Sequence, residues 1–337
     1  MQNTILDHNK SFPYYIFAPS YVRTSAGIKI LHYLCHHLNI LGYPAFLVPA
    51  NRKKYLINPH LITPIITEEI FENHKKYSLT PIVIYPDVTI KNILNVNFFV
   101  HYLLHYPGFL AKQDNLIFDK PVFTYSKKIA EKTNCINFDI NTLFMPIFDT
   151  SIFYPPKNDG KRSGMVFYAS KYKTIFNQKT FAITDGAIEI TRDQLSSQST
   201  QQVAELFRNA EVFATYEETS LINEAILCDC PVLLIKNDYF DSNFLTEYEL
   251  GKYACFSDYN QDSLAIAKSQ IPLAKQKIFE AIDNFKPQLQ NFIIETQKNV
   301  KNHPFPNNFN KKYLLQGKLS KLLKYKIASF VNKNRLP

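Results

Sequence analysis

The sequence predicts an α/β fold built as two doubly wound domains facing across a cleft, and three observations carry that prediction. Short apolar runs of strand length recur along the chain, separated by polar loops and by segments of helical spacing. The rhythm breaks once, in the proline-bearing stretch SIFYPPKNDGKRS at 151–163, and then restarts. At 337 residues the chain is long for one hydrophobic core and ample for two.

The elements follow in order. YYIFAP (14–19) is an apolar run of strand type, and the polar stretch SYVRTSAG follows it. Apolar residues at Ile28, Leu31, Leu34, Cys35, Leu38 and Leu41 then recur at helical spacing, and Gly42 closes the helix as a C-terminal glycine does. AFLV is the second strand. Strand, glycine-bearing loop, helix and strand, in that order, open a doubly wound sheet. PIVIYP (81–86) is a further buried strand, 97–104 is apolar before the turn HYPG, and 121–150 holds PVFTYS and the apolar run LFMPIF. After the break come the strands MVFYAS and AIEITR (187–192). Next are a short helix at 200–209 with Val203, Leu206 and Phe207 on one side, the strand EVFATY, a helical stretch at 223–227, and the strand PVLLI. A long helix over 272–300 ends this half. The implied domains are 1–153 and 154–300, with a tail over 301–337. No internal repeat is present.

Composition narrows the function classes. An apolar share of 46% is enough to fill two cores, yet no apolar run is long enough for a membrane-spanning helix. MQNTILDHNKSF has no apolar segment of the secretory type, so no signal peptide is expected. The five cysteines are odd in number and scattered, which suits reduced thiols in a cytosolic protein. Cys228 and Cys230 form a C-x-C pair without a second Cys/His pair nearby, so no zinc site is expected. The net charge of +9 sits in the tail: nine of the 38 basic residues lie at or beyond Lys301, where there is no acid. The remaining 29 basic residues match the 29 acids, so the body is formally neutral and no nucleic-acid partner is expected.

One stretch raises a chemical question. YEETSLINEAILCDCPVLLI (216–235) places Glu217, Glu218 and Glu224 immediately before a strand that must be buried. Carboxylates there belong either to a solvated helix start or to a ligand site at the sheet edge. The stretch resembles the acidic motif of GT-B glycosyltransferases. In that family one acid, a small-residue loop and a second acid opening a helix precede a turn and a buried strand. Here the second acid is Glu224 and the first is Glu217 or Glu218; Glu217 and Glu224 enclose six residues where the family form has seven. YVRTSAGIKILHYLCHHLNILGYPAFLV is similar to the opening of the family's acceptor domain, with Gly27 at the loop-to-helix turn. IVIYPDV…HYLLHYPG is similar to a stretch of bacterial polysaccharide glycosyltransferases, and YASKYK to the first strand of the donor domain. The resemblance covers about residues 14–260. It implies two Rossmann-like domains, with a nucleotide-sugar bound between them.

A nucleotide-sugar makes chemical demands that assign roles. A carboxylate accepts hydrogen bonds from ribose hydroxyls strongly, and Glu224 is the candidate. A diphosphate leaving group calls for cations and N–H donors. Lys171, Lys173 and Arg192 follow predicted strands at the ligand edge, and Thr219 and Ser220 open the helix. Arg23 is placed to reach across from the first loop. On the acceptor side His101, His105 and Asp87 are candidates for the base, Asp87 if transfer proceeds with inversion. The histidines read equally as satisfied core residues beside tyrosines. No D-x-D in a donor-binding context, Walker loop or G-x-G-x-x-G occurs, so no metal and no cofactor is expected; the nucleotide-sugar is a substrate.

The tail GKLSKLLKYKIASFV spaces Leu319, Leu322, Leu323, Ile327, Phe330 and Val331 by threes and fours, with lysines on the other side. It is a basic amphipathic helix, either packed on the body or lying on an anionic membrane surface through 311–335. The expected protein is a cytoplasmic glycosyltransferase, peripheral at the inner face of the cytoplasmic membrane. It would act on a glycan or lipid-linked acceptor of capsule, O-antigen or lipooligosaccharide synthesis. The alternatives are a sugar-nucleotide epimerase of the same architecture and a non-enzymatic scaffold or binding protein that keeps the fold.

Overall fold

The computed structural model describes residues 11–51, 55–108, 116–157, 160–191, 196–239 and 253–316. Two parallel sheets form the frame. The first joins β1 (Tyr14–Ala18), β2 (Ala45–Pro49), β3 (Ile82–Pro86), β4 (Phe99–Leu103), β6 (Val122–Thr124) and β8 (Asn141–Thr142), in the order β2-β1-β3-β4-β6-β8. β5 (Ile117–Phe118) and β7 (Asn134–Cys135) pair in a separate parallel ribbon of two residues a strand. The short helix α3 (Lys127–Glu131) follows β6. The second sheet joins β9 (Met165–Tyr168), β10 (Ile188–Glu189), β11 (Val212–Thr215), β12 (Val232–Leu234) and β13 (Cys255–Phe256) in the order β10-β9-β11-β12-β13, with α5 (Thr200–Asn209) between β10 and β11 in the chain. The arrangement is the expected GT-B one: two Rossmann-like α/β domains facing across a cleft.

Alternation along β1 shows why both faces must be covered. Tyr14, Ile16 and Ala18 enter one core with α1 (Ala26–Ile40), while Tyr15 and Phe17 enter another with Phe71 of α2 (Glu68–Lys76). A strand buried on both sides reads as an unbroken apolar run, as YYIFA does. α1 ends as the sequence predicts, with Gly42 at φ +84°.

In both sheets the second strand in sequence lies outside the first and the third returns to its other side. The strand order therefore reverses between β1 and β3, and again between β9 and β11. Loops leaving those strand ends splay apart and leave a crevice, which is where such sheets take ligands.

The long helix departs from the expectation. It spans Gln261–Val300 rather than 272–300, because Asn260 caps it by accepting from Ser263 N–H at 2.8 Å. Nor does it simply close the second domain. Its first part carries Lys268 and Lys275, paired with Glu211 and Asp229 of that domain. Its last part crosses onto the first domain. Phe285 meets His37, Gln288 accepts from Phe144 N–H at 2.7 Å, and Phe292 stacks on Tyr14 and meets Phe123 edge-on. Phe292 is completely buried. A Phe292→Ala variant should lose about 3–5 kcal/mol, read as a fall in melting temperature or urea midpoint.

The chain after this helix is not a free tail as far as Gln316. Phe309 and Leu314 are core residues of the first domain, with Phe305 and Tyr313 packed beside them, and Leu315 bridges Thr67. Lys311, assigned above to a membrane surface, pairs instead with Glu72 at 2.6 Å and Glu68 at 3.6 Å. The expected amphipathic helix lies outside the described residues. Among the described residues, no helix is long and apolar enough to cross a membrane.

Candidate active site

A cavity of about 450 Å³ lies between the domains, lined from both sides. The first domain contributes the segment after β1 (including Arg23, Gly27 and Lys29), Asp87 after β3, His105 after β4 and Tyr125 after β6. The second contributes Lys171 in α4 (Ser170–Thr174) after β9 and the run 217–224 after β11. Each of these positions follows the C-terminal end of a parallel strand, and four of them flank the two switch points.

The acidic run divides its labour. Glu217 is 1% exposed, and its Oε2 accepts the N–H groups of Lys171 at 2.5 Å and Tyr172 at 3.0 Å. That carboxylate caps the first turn of α4, where backbone donors have no partner within the helix. Its own backbone is fixed by Thr215, whose hydroxyl donates to Glu217 O at 2.6 Å and accepts from Glu217 N–H at 3.2 Å. Glu217→Ala should therefore lower stability by about 1–3 kcal/mol in chemical denaturation, and Glu217→Gln, which keeps an acceptor oxygen, by less.

Glu218 and Glu224 are placed differently. Glu218 is half-buried in the lining, and burial pushes its carboxyl up to about 7 against the pull of the Lys171 charge. Glu224 sits on α6 (Leu221–Leu227) at 6% exposure. Burial lifts it to about 7 as well, opposed by the charge of Lys29 from the facing domain. Tyr125 feels both carboxylates: burial first, then Glu218 and Glu224, raise its hydroxyl. Thr219 and Ser220 also line the cavity; the Thr219 hydroxyl accepts from Leu221 N–H at 3.3 Å, and Ser220 caps α6 without a side-chain bond.

The three base candidates separate. Asp87, 8% exposed, lines the cavity and accepts from Leu104 N–H at 3.3 Å. Burial raises it to about 6, while that bond and the Lys171 charge pull it down. His105 also lines the cavity, and its Nδ1 accepts from Tyr106 N–H at 2.8 Å. Burial, with the Lys171 charge next, lowers it to about 3, so the ring is neutral and its proton resides on Nε2. His105 thus offers a donor rather than a base. His101 does not reach the cavity. It sits within β4, 4% exposed, between the rings of Phe99 and Phe118 with Tyr85 nearby, and burial lowers it to about 4. It is the core histidine of the alternative reading.

Other expected contacts are corrected. Lys173 points away from the cleft to an exposed pair with Glu189 at 2.8 Å, because two residues of α4 are just over half a turn and set it on the side opposite Lys171. Arg192 lies outside the described residues. Gly27 lies in the first turn of α1, where an added Cβ would meet Leu104 Cδ1 at an ordinary 3.6 Å, so the fold does not demand glycine there. Arg23 does span the cleft, donating to Ser197 Oγ at 2.8 Å. Lys171 Nζ donates to the backbone oxygen of Glu218 at 3.2 Å, which ties the cation to the acidic run. Lys29 and Tyr125 were missed. The available signal for Lys29 was a lone lysine inside the apolar run AGIKIL. Among the described residues, no group of three or more His, Cys, Asp or Glu side chains is arranged to hold a metal ion.

No protein-family model and no curated protein matches the chain. Among solved structures, it is similar to the glycotransferase of kitacinnamycin, at 10% identity and a TM-score of 0.43, covering 91% of this chain and 100% of that one. It is similar to the spinosyn forosaminyltransferase SpnP, at 10% identity and a TM-score of 0.39, covering 94% of this chain and 99% of that one. T4 phage BGT, solved in complex with its UDP-glucose substrate, is similar at 13% identity and a TM-score of 0.36, covering 90% of this chain and 100% of that one.

Proposed function

We propose that the protein is a glycosyltransferase that moves a sugar from a nucleoside-diphosphate donor to a glycan or lipid-linked acceptor. One observation carries the reading: buried Glu224 and half-buried Glu218 share a cavity of about 450 Å³ with Lys171, Asp87 and His105, drawn from two facing domains. That volume suits a nucleotide-sized ligand. Carboxylates for hydroxyls, a lysine for phosphate and a raised carboxyl opposite them are the parts that sugar transfer needs.

The roles follow from position. Glu224 accepts the ribose hydroxyls, Glu218 faces the sugar, and Thr219 and Ser220 flank the donor. Lys171 compensates the diphosphate, so protein cations rather than a metal take up the leaving charge. Asp87 removes the proton from the acceptor hydroxyl, and His105 donates from Nε2 to an acceptor or sugar oxygen. The acceptor class, a surface glycan such as capsule, O-antigen or lipooligosaccharide, rests on the sequence resemblance alone. The membrane contact is assigned to residues beyond Gln316, where each lysine near an anionic surface contributes roughly 1 kcal/mol.

The test is a thermal-shift screen with UDP, GDP, CMP, ADP and dTDP on the wild type. A ligand at 100 times its Kd stabilises the fold by about 2.7 kcal/mol, a visible rise in melting temperature. One nucleotide is expected to stand out. A flat response to all five would overturn the donor reading in favour of the scaffold.

A further inference from the structure

We propose that Lys29 is a diphosphate-binding residue, closing on the donor from the wall opposite Lys171; the proposal rests on the nucleotide-sugar reading above. Lys29 lies in the first turn of α1, half-buried, and lines the cavity from the first domain. Lys171 lines it from the second. The two lysines are crossed with the carboxyls. Lys29 acts on Glu224 of the other domain, and Lys171 acts on Asp87 of the other domain. Each wall therefore sends a cation toward a buried acid across the gap.

The charge accounting points to a missing anion. Elsewhere, partly buried lysines are paired: Lys275 with Asp229, and Lys128 with Glu131. Among the described residues Lys29 makes no ion pair. Burial lowers its affinity for the proton, and Glu224, whose carboxyl is itself held near 7, answers only part of that cost. Arg23 adds a second positive charge on the wall that carries Lys29. A diphosphate held between Lys29 and Lys171 supplies the counter-charge to both walls, and it frees Glu224 for the ribose hydroxyls.

The experiment is calorimetric titration of the wild type, Lys29→Met and Lys29→Arg. The probes are the nucleoside diphosphate that stabilises the wild type and its parent nucleoside. Lys29→Met should weaken the diphosphate about tenfold or more, leave the nucleoside unchanged, and be largely rescued in Lys29→Arg. Equal weakening of both ligands, or of neither, overturns the proposal while the donor reading stands. Where no nucleoside diphosphate stabilises the wild type, the donor reading falls separately, and inorganic pyrophosphate becomes the probe. A melting rise for the wild type that Lys29→Met lacks then supports an anion clamp at Lys29. The absence of such a rise overturns it.

Discussion

Glu224→Gln should fold, bind the donor nucleotide about 10–100-fold more weakly than the wild type, and yet be the more stable protein above pH 7. The affinity loss follows from removing a charged acceptor, since hydrogen bonds to charged groups are worth about 1.5–3 kcal/mol. The stability gain follows from the sign of the titration. Burial raises the Glu224 carboxyl from 4.5 in the ordinary state to about 7 in the folded one. Between those values the folded protein holds a proton that the unfolded chain has released, so stability is full below about 4.5 and is lost as pH rises through about 7. The span caps the effect at on the order of 3 kcal/mol. Glu218 and Asp87 are raised too, so they act in the same direction. The wild-type melting temperature should therefore fall between pH 5 and 7, and Glu224→Gln should flatten that slope. A residue that costs stability and supplies affinity is a site residue. A solvated helix start would do neither, and flat wild-type melting across that range would return Glu224 to that role.

How much of this was legible in the sequence depended on distance along the chain. The strands and α1 were readable because both faces of a parallel sheet are apolar and a helix repeats by threes and fours. Those are local signals. α2 was not readable: Phe71 is its only buried residue, and what makes it a helix is the Thr67 cap and the packing of Phe305 and Phe309 from the far end of the chain. The same limit governed the site. Glu217 and Glu218 are adjacent and chemically alike, and only the position of α4, more than 40 residues earlier, makes one of them a helix cap. Lys171 and Lys173 looked equivalent until Glu189 took one of them. His101 and His105 lie four residues apart, which carries the second beyond the strand end while the first stays between rings. Long-range partners decide each case, and a single sequence does not display them.

Asp87→Asn should leave the nucleotide affinity unchanged and lower the rate of sugar transfer by about 10²–10⁴-fold. Geometry eliminates the two histidines. A base must face the cavity and hold a lone pair at working pH. His101 fails the first condition and His105 the second, because its Nδ1 lone pair is taken by Tyr106 N–H and its remaining nitrogen carries the proton. Asp87 meets both, with a carboxyl raised to about 6 by burial, close enough to neutrality to be ionised yet basic. In the proposed step, the acceptor hydroxyl would give its proton to Asp87 as its oxygen bonds to the anomeric carbon. The bond from that carbon to the diphosphate breaks, and the electron pair leaves with the phosphate. The rate of the wild type should then rise with pH through about 6, and this limb should vanish in Asp87→Asn. Transfer assigned this way inverts the anomeric centre, so the product's configuration is a second reading of the same claim. An Asn variant that turns over at the wild-type rate, or a product that retains configuration, would remove Asp87 from the chemistry. The cleft would then bind the donor through Glu224 and the lysines and leave the proton to the departing phosphate.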